Sequence, residues 1–178
     1  VYQEANGNSN AKLHTGLALV SGDASVLPFL KERLLDVSPA QFAPVRDQLA
    51  KLDDHQENLK EYYWGIALSR TQESDRRFQA ACALATYDSA NETWRDPVFA
   101  GFVASHLVGV LPSELGPWRD SLRSVRERLA PALGVIYRDY SRGEQVRSFA
   151  TDTLGHYLSG DVDGLFELVM DAEPKQFA

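Results

Sequence analysis

Cysteine is almost absent: Cys82 is the only one in 178 residues. That excludes an internal disulfide and a Cys-based zinc framework. Cys82 shares an apolar helical face with Phe78, Ala81 and Ala85, so a buried structural thiol is expected, and with it a reducing, cytoplasmic setting. A run of about 18 apolar residues, the mark of a membrane-spanning helix, is missing, as are a signal peptide and a lipidation motif. No membrane partner is expected. Positive charge is also short. The formal net charge of −7 argues against nucleic acid or an anionic surface as the main partner. There is no Gly-rich phosphate loop, no Walker Lys, no HRD, no DFG and no G-x-S-x-G elbow, so neither a catalytic residue nor a cofactor is expected. His14, His55, His106 and His156 never fall three or four residues apart. No helix therefore offers a two-His metal site, and no metal is expected.

What is present is helical periodicity. Strand signals are weak, because no alternating β-branched run lies between turn dipeptides. Val1 to Asn10 reads as a polar lead-in. The pattern then predicts helices over 11–20, 25–36, 40–51, 55–69, 74–87, 96–110, 113–122, 125–140, 143–158 and 162–171, with a stub from 174. Val146, Phe149, Ala150, Thr153, Leu154 and Tyr157 lie along one helical face. Leu122, Val125, Leu129, Leu133 and Ile136 form another stripe, with Pro131 inside it as a kink or a true start.

The chain also repeats itself. Leu35-Asp36-Val37-Ser38-Pro39-Ala40-Gln41-Phe42-Ala43 returns as Met170-Asp171-Ala172-Glu173-Pro174-Lys175-Gln176-Phe177-Ala178. Ser21-Gly22-Asp23 returns as Ser159-Gly160-Asp161, a helix stop followed by a helix start. Val45-Arg46-Asp47-Gln48-Leu49-Ala50 resembles Val125-Arg126-Glu127-Arg128-Leu129-Ala130. The expected fold is all-α: a HEAT-like α-solenoid of irregular stacked helical hairpins, about 10 helices, in one domain over 11–178. A compact helical bundle is the alternative. The helix-start signal at Pro174, and Val1 in place of an initiator Met, lead to the expectation of a piece of a longer protein.

Candidate chemistry is sparse. Asp53, Asp54, His55 and Glu57 read as the acidic first turn of a helix, and Asp161 and Asp163 likewise. His156 is expected to contact Asp152 one turn earlier. His106 is expected in the core or an interface. Residues 119–147 hold seven Arg against four acids. Trp118 precedes them, and Arg beside an aromatic is the composition of binding hot spots. Trp118, Arg119, Arg123, Arg126 and Arg128 are therefore the candidate partner-binding residues. Asp120 and Glu127 are placed to pair with these Arg instead.

Three segments carry a family resemblance: Lys12-Leu13-His14-Thr15-Gly16-Leu17-Ala18-Leu19, Phe78 through Asp88, and Met170 through Ala178. They resemble the helical-repeat middle region of large bacterial multidomain serine/threonine protein kinases, many with a C-terminal domain like the formylglycine-generating enzyme. The resemblance runs from about Lys12 to the end and lies outside both catalytic domains. It implies a non-catalytic scaffold whose partners are other proteins or the parent's own catalytic domains. Two other functions remain open on the residues alone: nucleic-acid binding through the Arg band, and an enzyme built around His106 or His156 with a carboxylate. Self-association is expected through the end bearing Phe166, Met170 and Phe177, so a monodisperse monomer at high concentration in sedimentation velocity would count against that face.

Overall fold

Proline fixes where several helices begin. Pro39, Pro97 and Pro112 each stand in a helical first turn, where the missing N–H is one that the helix start leaves unpaired anyway. The computed structural model describes residues 27–51 and 56–170. All regular structure among them is helical, so the described chain is all-α. Nine α-helices are described: α1 (Leu27–Arg33), α2 (Pro39–Leu49), α3 (Gln56–Ala67), α4 (Ser74–Tyr87), α5 (Pro97–Leu107), α6 (Pro112–Ser121), α7 (Arg126–Arg138), α8 (Glu144–Tyr157) and α9 (Val162–Met170). Each matches an expected helix to within a few residues. The expected helix over 11–20, the stub from 174 and the cap cluster at Asp53, Asp54 and His55 lie outside the described residues.

Two short 3-10 turns, Glu92–Arg95 and Arg123–Val125, were not expected. Asn91 starts the first by accepting from the Thr93 N–H at 3.0 Å, and Trp94 buries itself within it. Asp96 then caps α5 by accepting from the Val98 N–H at 2.8 Å. Pro131 lies inside a continuous α7 rather than at its start. Gly160 leaves α8 at a φ of 97°, a conformation that only glycine adopts cheaply. Asp161 caps α9 through the Gly164 N–H at 3.1 Å, as its position in the sequence suggests.

The chain divides into two compact units, Val1–Asp88 and Ser89–Ala178. In the first, α3 and α4 form the tightest hairpin and α1 packs on α2. In the second, α7 and α8 form the hairpin, and α5 lies against α7. The two units share sequence landmarks. Pro39-x4-Pro44-Val45-Arg46-Asp47-x-Leu49 matches Pro112-x4-Pro117-Trp118-Arg119-Asp120-x-Leu122. Buried Leu27, Leu30, Leu34 and Leu35 match buried Ala100, Val103, Leu107 and Val108. After a linker three residues shorter in the second unit, Arg77, Ala80, Leu84 and Tyr87 match Arg147, Ala150, Leu154 and Tyr157.

Hydrogen bonds repeat with the sequence. Arg77 Nε donates to the Ala67 carbonyl at 3.1 Å, and Arg147 Nε to the Tyr137 carbonyl at 3.3 Å. The Tyr87 hydroxyl donates to the Arg46 carbonyl, and the Tyr157 hydroxyl to the Arg119 carbonyl, both at 2.9 Å. The similarity of 45–50 to 125–130 in sequence is therefore out of register with these bonds, which make Arg46 the counterpart of Arg119.

Burial follows the helical faces. Cys82 is fully buried, and burial pushes its thiol well above the ordinary value. Val162, Phe166 and Met170 lie exposed along α9, and Phe177 is outside the described residues. No described helix is long and apolar enough to cross a membrane. Replacing Tyr87 or Tyr157 by Phe removes one hydroxyl from a buried carbonyl and is expected to cost about 1 kcal/mol in each case. Urea unfolding of the two variants checks this, and equal losses are the expected result for equivalent bonds.

Candidate functional site

The Arg-rich region does not form one face. Trp118, expected as the aromatic of a binding surface, is only 4% exposed. It is the counterpart of buried Val45, so its ring belongs to the core and is withdrawn from any partner. Arg119 is held by Asp152 at 2.7 Å, with Asp120 at 3.9 Å. Arg123 Nη1 lies 3.2 Å from His156 Nε2, and His156 Nε2 lies 3.4 Å from Asp120. His156 thus faces Asp120 across to α6 and not Asp152, which Arg119 has taken. Arg126 sits 3.7 Å from Glu127. These groups form a balanced network that ties α6 to α8, and exposed pairs of this kind contribute little stability each.

Arg128 faces elsewhere. It lines a groove of about 590 Å³ between α5 and α7. Pro97, Val98 and Gly101 form one wall, and Pro131, Ala132 and Val135 the other. Val98 and Val135 are 70% and 68% exposed. A Cβ added at Gly101 would meet nothing within 4 Å. The charged rim is Arg95, Arg128 and Arg142 with Glu127. Arg95 pairs with Glu92, and Arg142 with Asp139 at 3.2 Å. Arg128 has no ion-pair partner among the described residues. His106 stands outside the groove, half-buried with its ring 6.1 Å from that of Phe102. Among the described residues, no group of three or more His, Cys, Asp or Glu side chains could hold a metal ion.

Among the described residues of the first unit, larger side chains bridge the matching helices α1 and α3. Tyr62 is the counterpart of Ala132, Glu32 of Ser105, Lys31 of Ala104 and Asn58 of Arg128. The Tyr62 hydroxyl donates to Glu32 at 3.0 Å, and Lys31 Nζ donates to Asn58 at 2.7 Å. The Lys31 ammonium also lies 4.2 Å from the Tyr62 ring centre. Arg76 closes the far side on Glu32 at 2.7 Å and Asp36 at 3.2 Å. At the matching positions of the second unit Tyr62, Glu32 and Lys31 give way to smaller side chains, and Asn58 to a larger, charged one. Sequence reading missed it because the groove follows from the register between the units, which the two proline pairs carry.

Burial, then the hydrogen bond to Glu32, pushes the Tyr62 phenol from 10.0 up to about 12. Burial raises Tyr63 and Tyr87 as well. Below 10 the phenols are protonated whether the chain is folded or not. Between 10 and 12 only the unfolded chain ionises, so the stability these protonated phenols contribute is lost as pH rises through that window. Urea midpoints taken across it should fall, and fall less in Tyr62→Phe. A midpoint independent of pH there would show that the seam does not hold the phenol protonated.

Comparison with protein-family models, with curated proteins and with solved structures returns no match.

Proposed function

We propose that this chain is a non-catalytic, HEAT-like helical-repeat segment that holds protein partners. The observation that carries this reading is the open groove between α5 and α7, apolar along its walls and rimmed by three Arg. An open seam leaves Val98 and Val135 in water. Covering a side chain of this size is worth about 1.5–3 kcal/mol, a return available only to something that binds there. The HEAT-like arrangement is supported by the recurrence of one helical unit along the chain, since stacked hairpins make the extended surfaces on which such proteins hold others. A place beside the catalytic domain of a multidomain serine/threonine protein kinase rests on the resemblance of the Lys12, Phe78 and Met170 segments. In that reading phosphoryl transfer belongs to a different domain.

The test is affinity capture by the chain and by Ala132→Tyr, which places the first unit's tyrosine at the matching position, followed by calorimetric titration of each captured protein. The expected result is at least one partner of micromolar affinity or better, weakened about tenfold by the variant. Flat titrations for every captured protein would overturn the reading. A purified kinase domain of the resembled family, titrated alongside, tests that association by itself.

A further inference from the structure

We propose that the groove between α5 and α7 takes a short peptide segment of a partner protein, apolar at its centre and acidic on its flanks. This rests on the interaction reading above and names the chemistry of the occupant.

The floor is apolar on both sides, with Val98 and Gly101 facing Val135 and Ala132. From Pro97 to Ser105 it runs along one helix for about 12 Å at about 1.5 Å per residue, the length of about two turns of a bound helix. Its volume of about 590 Å³ accommodates a few apolar side chains. The rim decides the charge. Three Arg stand against one Glu around the groove. Arg95 and Arg142 are engaged only with neighbouring Glu92 and Asp139, in solvent-exposed pairs. Such pairs exchange for an incoming carboxylate at little cost. Arg128 has no described partner to give up, and its guanidinium suits a carboxylate in a two-bond geometry. A basic segment would meet three Arg against the one Glu of the lining and is disfavoured.

The first unit supplies the internal comparison. Glu32 there meets Tyr62 and Arg76. An aromatic ring and a carboxylate of the chain itself thus bridge α1 and α3. The proposed segment brings the same two kinds of group, an apolar anchor and an acid, from outside.

The experiment is panning of a random 16-mer peptide display library against the full chain, followed by fluorescence anisotropy of synthetic copies of the enriched peptides. The expected result is an apolar core flanked by Asp or Glu, with affinity falling as salt rises. Binding should weaken about tenfold or more in Ala132→Tyr, which fills the groove, and in Arg128→Glu, which reverses the rim. Circular dichroism establishes that each variant is folded, and Arg128→Glu alters only a partly exposed side chain. Enriched peptides that are neutral or basic would overturn the proposal. So would acid-flanked peptides that bind both variants as they bind the parent chain. In either case partners captured in the preceding experiment, and still sensitive to Ala132→Tyr, would leave the interaction reading standing.

Discussion

The second helix of each unit's hairpin, α4 or α8, is tied down at both ends, and the helices before it are arranged around it. Near its start an Arg, Arg77 or Arg147, donates to a carbonyl that ends the preceding helix. Near its close a Tyr, Tyr87 or Tyr157, donates to a carbonyl inside the second helix. Helix C-termini expose carbonyls with no partner of their own. An Arg reaching back across the hairpin satisfies one of them and sets the loop length. The Tyr then fixes how the second helix lies, because a buried phenol without an acceptor would be costly. Two polar contacts thus orient three helices, and the apolar faces of Leu84 and Leu154 fill in between.

With that frame held constant, the variable positions can differ freely. Arg46 and Arg119 are counterparts, each with its carbonyl bound by the Tyr. Beside Arg46 lies Cys82, whose thiol burial holds protonated against the pull of that cation. The counterpart of Cys82 is Asp152, and there the Arg finds a carboxylate at 2.7 Å. The same exchange occurs at the seam, where Tyr62, Glu32 and Lys31 become Ala132, Ser105 and Ala104. Neither set touches the Arg–carbonyl or Tyr–carbonyl ties, so the seam opens without loosening the unit. Thr153, counterpart of Ala83, is a change with no such compensation: its hydroxyl is buried with no partner, and nothing in the structure explains it.

Helix positions were legible because the signals are local. Pro39, Pro97 and Pro112 mark first turns, and Val146 through Tyr157 spell one face at a helical period. The 3-10 turn at Glu92–Arg95 was not legible, since it depends on burying Trp94 and on the side chain of Asn91. The binding residues were less legible still. Trp118 beside an Arg run has the composition of a contact surface, but composition does not say which face a residue takes. Aligned with Val45, it is a core residue. Arg128 was selected for its neighbours in sequence, yet it lines the groove while Arg119 and Arg123 join the network with Asp120, Asp152 and His156. Four residues apart on a helix share a face, whereas the kinked path through Arg123–Val125 turns the chain between them. The repeat was seen, but the match of Val45 with Val125 gave a false register because it ignored both prolines.

The open seam is informative because the fold does not require it. A helix pair closes most simply by interdigitating side chains across the contact, and voids in such contacts forfeit dispersion and burial energy. In the first unit a tyrosine and its polar partners bridge the matching helices. The second places an alanine where the ring would be, glycine on the facing helix, and two valines at the edges with most of their surface in water. Small residues bring backbones together when the helices approach more closely, but here a Cβ on Gly101 would still meet open space. α5 and α7 pack closely, whereas α1 and α3 make little direct contact and are bridged by long side chains. Val98 and Val135 stay in water beside a rim of three Arg and one Glu, and that pairing of exposed apolar surface with positive charge is what the proposed acid-flanked segment would cover.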